Sequence, residues 1–240
     1  MNARPHIFND LYHARKVVEF YGRHIRYCAK LGGFIIWNGK HWSLDETAQV
    51  WRWAVDAVSL AYEADFASAP DPDRPRLNRW FARAQTRWSI ENALRHLQAQ
   101  PEIIATPDHF DRDPWLLNVN NGAIDLRTGN LREHRPDDLI TKIATIDFDP
   151  ASPPPDRWSR FLDEIFGGNR DLINFVQRVC GYALTGSVCE QKLFLLHGSG
   201  ANGKPTFLEK HPIKLEFFLV QDTVFRLSWT AVKRIHKFER

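Results

Sequence analysis

The sequence predicts an α+β amino-terminal domain followed by a truncated α/β domain. Three observations predict this fold class. Up to residue 149, helical periodicity alternates with patterns of short paired strands. Residues 149–156 then contain three consecutive prolines. Beyond them a short apolar run leads directly into a glycine-rich loop, an order that is typical of a P-loop ATPase.

Composition and charge limit the class of protein. The chain has 240 residues, of which 43% are hydrophobic and 25% charged, so it is a folded protein and not a disordered or low-complexity one. The net charge of +3 is too small to indicate a nucleic-acid partner, so any basic surface must be local. The three cysteines lack CxxC or Cys/His ligand spacing, which argues against a disulfide framework or a metal site. The sequence shows neither the pattern of a signal peptide nor an apolar run long enough to span a membrane. We therefore expect a cytoplasmic protein and no membrane partner.

The first elements are a helix and a hairpin. Asn9 or Asp10 is suited to cap a helix that ends near Gly22. Residues 33–44 alternate on either side of an Asn-Gly pair, which favours the tight turn of a β-hairpin.

Two longer helices and several short strands complete the first block. Helical spacing predicts helices over residues 46–64 and 77–97, with Ser89 as a second cap inside the latter. Glycine-containing turns predict short strands within 117–131. Alternating apolar residues predict a further strand over 138–148.

The proline-rich run divides the chain. We predict a domain over residues 1–149, a linker over 150–156 and a helical connector over 157–190, with helices at 157–166 and 171–184. Residues 191–208 would start the P-loop domain. The tail, 209–240, lacks glycine and is interpreted as aberrant or out of frame.

The glycine-rich loop follows the Walker A pattern, Gly-x4-Gly-Lys. Backbone N–H groups of such a loop converge on phosphate oxygens, and the lysine reaches the β and γ phosphates. The candidate nucleotide-binding residues are Gly198, Gly200, Asn202, Gly203, Lys204 and Thr206. The pattern therefore predicts a nucleotide as the ligand.

Proline at position 205 departs from the pattern, which requires Ser or Thr there. The hydroxyl that would hold Mg²⁺ is missing, and Thr206 lies roughly 100° further around the helix. Too few residues follow Lys204 to form an ATPase sheet, and residues 217–222 read more simply as an apolar strand with an acidic end than as a Walker B strand. We therefore assign no catalytic residue and expect no turnover.

Together these motifs resemble the phage and plasmid primase-helicase family, which is related to the poxvirus primase-helicase and carries a superfamily 3 helicase ATPase. The resemblance rests on residues 27–42, 110–118, 121–129, 158–166, 181–186, 191–194 and 198–204. It implies a domain that precedes a hexameric, ATP-driven DNA helicase of mobile-element replication, hence DNA and further copies of the chain as partners. Only Gly198, Gly203 and Lys204 carry over as nucleotide ligands.

An arginine-rich helical segment is the candidate DNA-binding surface. Arginines recur on one helix face beside a row of aromatics, a combination that pairs phosphate contacts with base stacking. The residues are Arg76, Arg79, Arg83 and Arg87, with Trp80 and Trp88. A solvated arginine face over core tryptophans explains the same pattern more simply.

Two hypotheses of different class stay open. One is an enzyme that binds ATP and contributes to DNA unwinding within an oligomer. The other, which we favour for this chain, is a non-catalytic remnant or interaction module. Its alternative form is a DNA-binding or oligomerisation remnant with no nucleotide binding. The acidic pair Asp111 and Asp113 is read as a polar turn and not as a metal site, because no third ligand stands beside it.

Overall fold

The computed structural model describes residues 8–67, 70–153 and 155–191, together with residues 194, 203, 206 and 207. The chain forms two compact units. Unit 1 contains residues 8–112 and 135–142, and unit 2 contains residues 113–134 and those from 143 onward. The proposed strand at 192–197, apart from residue 194, and the whole of 209–240 lie outside the described residues.

Four helices build most of unit 1: α1 (Asp10–Tyr21), α2 (Gln49–Phe66), α3 (Arg74–Ala84) and α4 (Arg87–Leu97). Asn9 caps α1, because its side-chain oxygen accepts a hydrogen bond from the Tyr12 backbone N–H at 2.9 Å. Small and branched side chains let α1, α2 and α4 approach closely. The buried core between them includes Ala14, Val17, Val50, Ala54, Ala57, Ile90 and Leu97.

A three-stranded antiparallel sheet completes unit 1, in the order β1 (Ile25–Cys28), β2 (Gly33–Trp37) and β3 (Trp42–Leu44). The predicted hairpin over 33–44 is confirmed as β2 and β3, with Trp37 paired to Trp42. No local sequence pattern predicts β1. Irregular segments cover both edges of the sheet, since Tyr27 N–H donates to the Ile103 carbonyl and Trp42 N–H to the Ile140 carbonyl.

The helical segment predicted over 77–97 forms two helices, and the second cap predicted at Ser89 is wrong. The chain breaks after Ala84, and α4 starts again with Thr86 as its cap, whose hydroxyl accepts from the Ser89 N–H at 3.4 Å. Thr86 also donates from both its N–H and its hydroxyl to the Arg83 carbonyl, at 3.0 and 2.8 Å. Ser89 is therefore inside the first turn and is not the cap. Arg87 consequently belongs to a different helix from the α3 arginines.

Unit 2 contains a second antiparallel sheet and two helices. The strands are β4 (Leu116–Val119), β5 (Gly122–Asp125) and β6 (Asn130–Arg132), as the glycine-containing turns predict. The helices are α5 (Asp156–Phe166) and α6 (Arg170–Leu184), which confirm the two predicted helices to within one residue at each start. Leu162, Phe166, Ile173 and Val176 form their buried contact.

The predicted strand over 138–148 is wrong. Leu139 has a left-handed backbone conformation with φ of +51°, which interrupts an extended chain. The two parts of the segment then bond in different units: Asp111 N–H donates to the Leu139 carbonyl in unit 1, and Ala144 N–H donates to the Asn118 carbonyl in unit 2. Only an isolated bridge between Val119 and Ala144 resembles strand pairing here.

Among the described helices, none is both long enough and apolar enough to cross a lipid bilayer.

Candidate nucleic-acid interface

Helices α3 and α4 carry the densest group of arginines in the described residues. Between residues 71 and 97 there are six arginines and three carboxylates, and all six arginines are exposed. Their guanidinium charges are therefore accessible to solvent. The arginines are Arg74, Arg76, Arg79, Arg83, Arg87 and Arg95.

Carboxylates neutralise part of this charge. Arg76 lies 3.5 Å from Asp73, and the Arg87 Nε lies 2.7 Å from a Glu91 oxygen. Arg79 contacts no carboxylate among the described residues, and its Nε donates to a backbone carbonyl of the preceding turn. Exposed pairs of this kind contribute about 0–1 kcal/mol, so a phosphate can compete for the paired arginines.

Asp10 brings α3 to the start of α4. One of its carboxylate oxygens accepts a hydrogen bond from the Ser89 hydroxyl at 2.6 Å and lies 3.8 Å from the Arg83 guanidinium. The other oxygen accepts from the Asn92 amide at 3.3 Å. The Arg83 guanidinium therefore lies beside the first turn of α4, where Arg87 begins the helix. We call Arg83, Arg87 and Trp88 the α3–α4 corner.

The two candidate tryptophans have opposite environments. Trp80 is 2% exposed and packs edge-on against Tyr12, with 5.0 Å between the ring centroids. The prediction that Trp80 stacks on bases is therefore wrong, because its ring lies in the core. Trp88 is 64% exposed and is the one exposed tryptophan among the described residues. Only Trp88 can therefore offer a ring face to a ligand.

A buried histidine lies beneath this surface. His13 is fully buried, and its Nε2 is 2.7 Å from the Ala54 carbonyl, so Nε2 carries the hydrogen and donates it. Burial lowers the pKa of His13, because a charged imidazole would lose its hydration, although this hydrogen bond opposes the shift. His13 is therefore neutral in the folded protein near neutral pH. The helical spacing of α1 gave no signal for this role.

The nucleotide-binding candidates are only partly described. Gly198, Gly200, Asn202 and Lys204 lie outside the described residues. Gly203 has a φ of +76°, and a Cβ there would come within 2.7 Å of Ile165 on α5. Its carbonyl accepts from the Phe207 N–H at 2.8 Å, and Thr206 is exposed.

An apolar cavity of about 250 Å³ lies next to this segment in unit 2. Trp158, Cys180 and Phe207 are among the residues that line it. Burial raises the pKa of the Cys180 thiol to about 11, so the thiol stays protonated at neutral pH and is a poor nucleophile.

The acidic residues at 111 and 113 accept hydrogen bonds from nearby backbone and side-chain groups. Asp111 accepts hydrogen bonds from Thr141, and Asp113 accepts from the Trp115 N–H at 3.0 Å. No group of three potential metal ligands occurs in the part of the chain that the structure describes. These bonds fit the interpretation of Asp111 and Asp113 as polar-turn residues.

Comparison with known families identifies the fold that carries this surface. Residues 7–167, about two thirds of the chain, match the family described as "D5 N terminal like". The chain belongs to this family. The D5 N terminal like region contains all of unit 1 from residue 8, and therefore the α3–α4 corner, and it extends through α5.

A second comparison points in the same direction. The chain is 29% identical over 104 residues to a protein of Acanthamoeba polyphaga mimivirus named "Putative helicase L207/L206". The match covers 42% of this chain and 11% of the mimivirus protein. Both findings support primase-helicase ancestry, as the motifs of the D5 N terminal like region predict.

Proposed function

We propose that this chain contributes a DNA-contacting module to a replication protein of the primase-helicase type. The observation that supports it most is the α3–α4 corner, two exposed arginines and one exposed tryptophan within a D5 N terminal like region. Arginine recognises phosphate through its planar fork of donors, and an aromatic ring face accepts a base. The arginines bind backbone phosphates regardless of sequence.

Arg79, which contacts no carboxylate among the described residues, extends the same surface along α3. A phosphate at Arg79 displaces no carboxylate, whereas a phosphate at Arg76 competes with Asp73 at 3.5 Å. We therefore expect Arg79 to contribute more than Arg76.

Binding assays on two variants test this surface. Replacing Arg79, Arg83 and Arg87 together by Gln is expected to weaken binding of a fluorescent DNA oligonucleotide at low salt by tenfold or more. Arg52→Gln is the matched control, because Arg52 is an exposed arginine of α2 that bonds within its own helix start. Equal affinities of the triple variant and the control would contradict the proposal.

For the Walker A segment we propose nucleotide binding without turnover. Lys204 and the loop backbone, with Gly203 at its end, suit the phosphates of ATP. The residue set does not fit Mg²⁺, because Pro205 supplies neither the hydroxyl nor an N–H at the position where the pattern has Ser or Thr. We derive no hydrolytic step from this site.

Calorimetry separates this proposal from its alternative, a non-catalytic DNA-binding or oligomerisation module that binds no nucleotide. If the wild-type chain binds ATP and Lys204→Ala does not, the result would support phosphate binding by the Walker A segment. Pro205→Ser is then expected to strengthen binding in the presence of Mg²⁺. No ATP binding by the wild-type chain would favour the alternative.

We also propose self-association, on the basis of the family resemblance alone. Light scattering on the purified chain, with and without ATP, tests it, and a monomer under both conditions would contradict it.

A further inference from the structure

Trp88 is exposed to solvent, unlike most of the aromatic side chains of unit 1. Most of the large aromatic side chains of unit 1 pack against one another, as Trp80 does with Tyr12 and Tyr21 does with Trp53. Trp88 instead leaves 64% of its surface in water at the first turn of α4. A ring of this size leaves a large apolar face available to a ligand.

The charges around Trp88 indicate the chemistry of that partner. Arg87 precedes it in the same helical turn, and the Arg83 guanidinium reaches the Asp10 oxygen that also binds Ser89, the residue after Trp88. Two exposed guanidinium groups therefore lie close to the helical turn that carries the exposed ring. The Arg87 contact to Glu91 uses Nε at 2.7 Å, which leaves the two terminal nitrogens of that guanidinium for another acceptor.

We propose that the α3–α4 corner binds one nucleotide unit of a single strand, with the base on the Trp88 ring and the flanking phosphates on Arg83 and Arg87. This inference rests on the proposed DNA-contacting function and specifies its substrate. Trp88 is then the residue that distinguishes single strands from duplexes.

The strand preference follows from the accessibility of the base. In a duplex both faces of each base are covered by neighbouring base pairs, so an indole on a helix surface reaches a base face only after unstacking. In a single strand the base faces are available without that cost. The arginines cannot make this distinction, because phosphates are exposed in both forms.

Three DNA probes of equal length separate the two contributions. They are a single-stranded oligothymidylate, the same backbone without bases, and a duplex, each followed by fluorescence anisotropy with the full chain. The wild-type protein is expected to bind oligothymidylate about fivefold or more tightly than the abasic strand. Trp88→Ala is expected to remove that difference, and Trp88→Phe is expected to retain most of it.

A matched control and the charge variants complete the test. Leu60→Ala removes another exposed apolar side chain, 38% exposed on α2, and is expected to leave all three affinities unchanged. The Arg83→Gln, Arg87→Gln double variant is expected to weaken all three probes together.

The outcomes distinguish the inference from the function on which it rests. If the wild-type chain binds all three probes equally and Trp88→Ala changes nothing, the stacking inference is wrong while DNA contact by the arginines stands. If the wild-type chain binds none of the probes at low salt, the proposed function fails as well.

Discussion

Asp10→Ala tests how the α3–α4 corner is held together. The Asp10 carboxylate is 15% exposed and accepts a 2.6 Å hydrogen bond from the fully buried Ser89 hydroxyl. Alanine leaves that hydroxyl without its partner, which costs about 1–3 kcal/mol. It also removes a negative charge from the first turn of α1, worth about 0.3–1 kcal/mol. We therefore expect the free energy of unfolding to fall by about 2–3 kcal/mol.

Urea unfolding followed by tryptophan fluorescence measures this loss. Asp10→Asn keeps an oxygen acceptor for Ser89 and should lose only about 1 kcal/mol. The double variant Asp10→Ala, Ser89→Ala should be less destabilised than the sum of the single changes, because no buried hydroxyl is then left unpaired. A loss below about 0.5 kcal/mol for Asp10→Ala would refute the structural role that we assign to this carboxylate.

Three further predictions concern other parts of the molecule. Because burial lowers the folded-state pKa of His13, this side chain stays neutral while the unfolded chain takes up a proton, so the free energy of unfolding should fall as the pH drops below about 6.5. Urea titrations at several pH values measure this dependence, and His13→Gln should make it weaker. An equal pH dependence in the wild-type protein and the variant would contradict the prediction. Glu91→Gln removes a carboxylate that competes for Arg87 and should raise DNA affinity about two- to fivefold at low salt, whereas weaker binding would show that the pair supports binding. Gly122→Ala would place a Cβ 2.3 Å from the last carbonyl oxygen of β6 and should unfold that sheet, seen as lost amide protection in hydrogen exchange; unchanged protection would contradict this packing.

Local sequence signals predicted much of the fold. The Asn-Gly pair predicted the β2–β3 hairpin. The apolar spacing after the prolines predicted α5 and α6, each with its start within one residue of the observed one. These elements are determined by neighbours in the sequence, through turn conformation and amphipathic periodicity. The same holds for the strands of the second sheet.

The secondary-structure predictions are wrong where contacts between residues far apart in sequence determine the structure. β1 forms because Tyr27 pairs with both β2 and the segment at residue 103, which no local pattern shows. The segment at 138–148 alternates like a strand, yet its two parts bond in different units. The α3–α4 break depends on Thr86, whose capping competes with a periodicity that continues across it.

In the candidate site, too, helical spacing alone did not determine which side chains are exposed. Trp80 and Trp88 stand in one row of helical spacing, but the first is buried against Tyr12 and the second is exposed. Spacing fixes which residues share a face only while the helix continues. The role of Asp10 in fixing Arg83 depends on a contact between residues far apart in sequence.

The salt dependence of DNA binding tests the central claim most directly. For a single strand, the slope of log affinity against log salt is about −0.7 for each phosphate contacted. If Arg83 and Arg87 each contact one phosphate, replacing both by Gln should make the slope of the full chain on oligothymidylate shallower by about 1.4. An unchanged slope would show that these arginines do not contact DNA, and the α3–α4 corner would then be a solvated surface of the D5 N terminal like region.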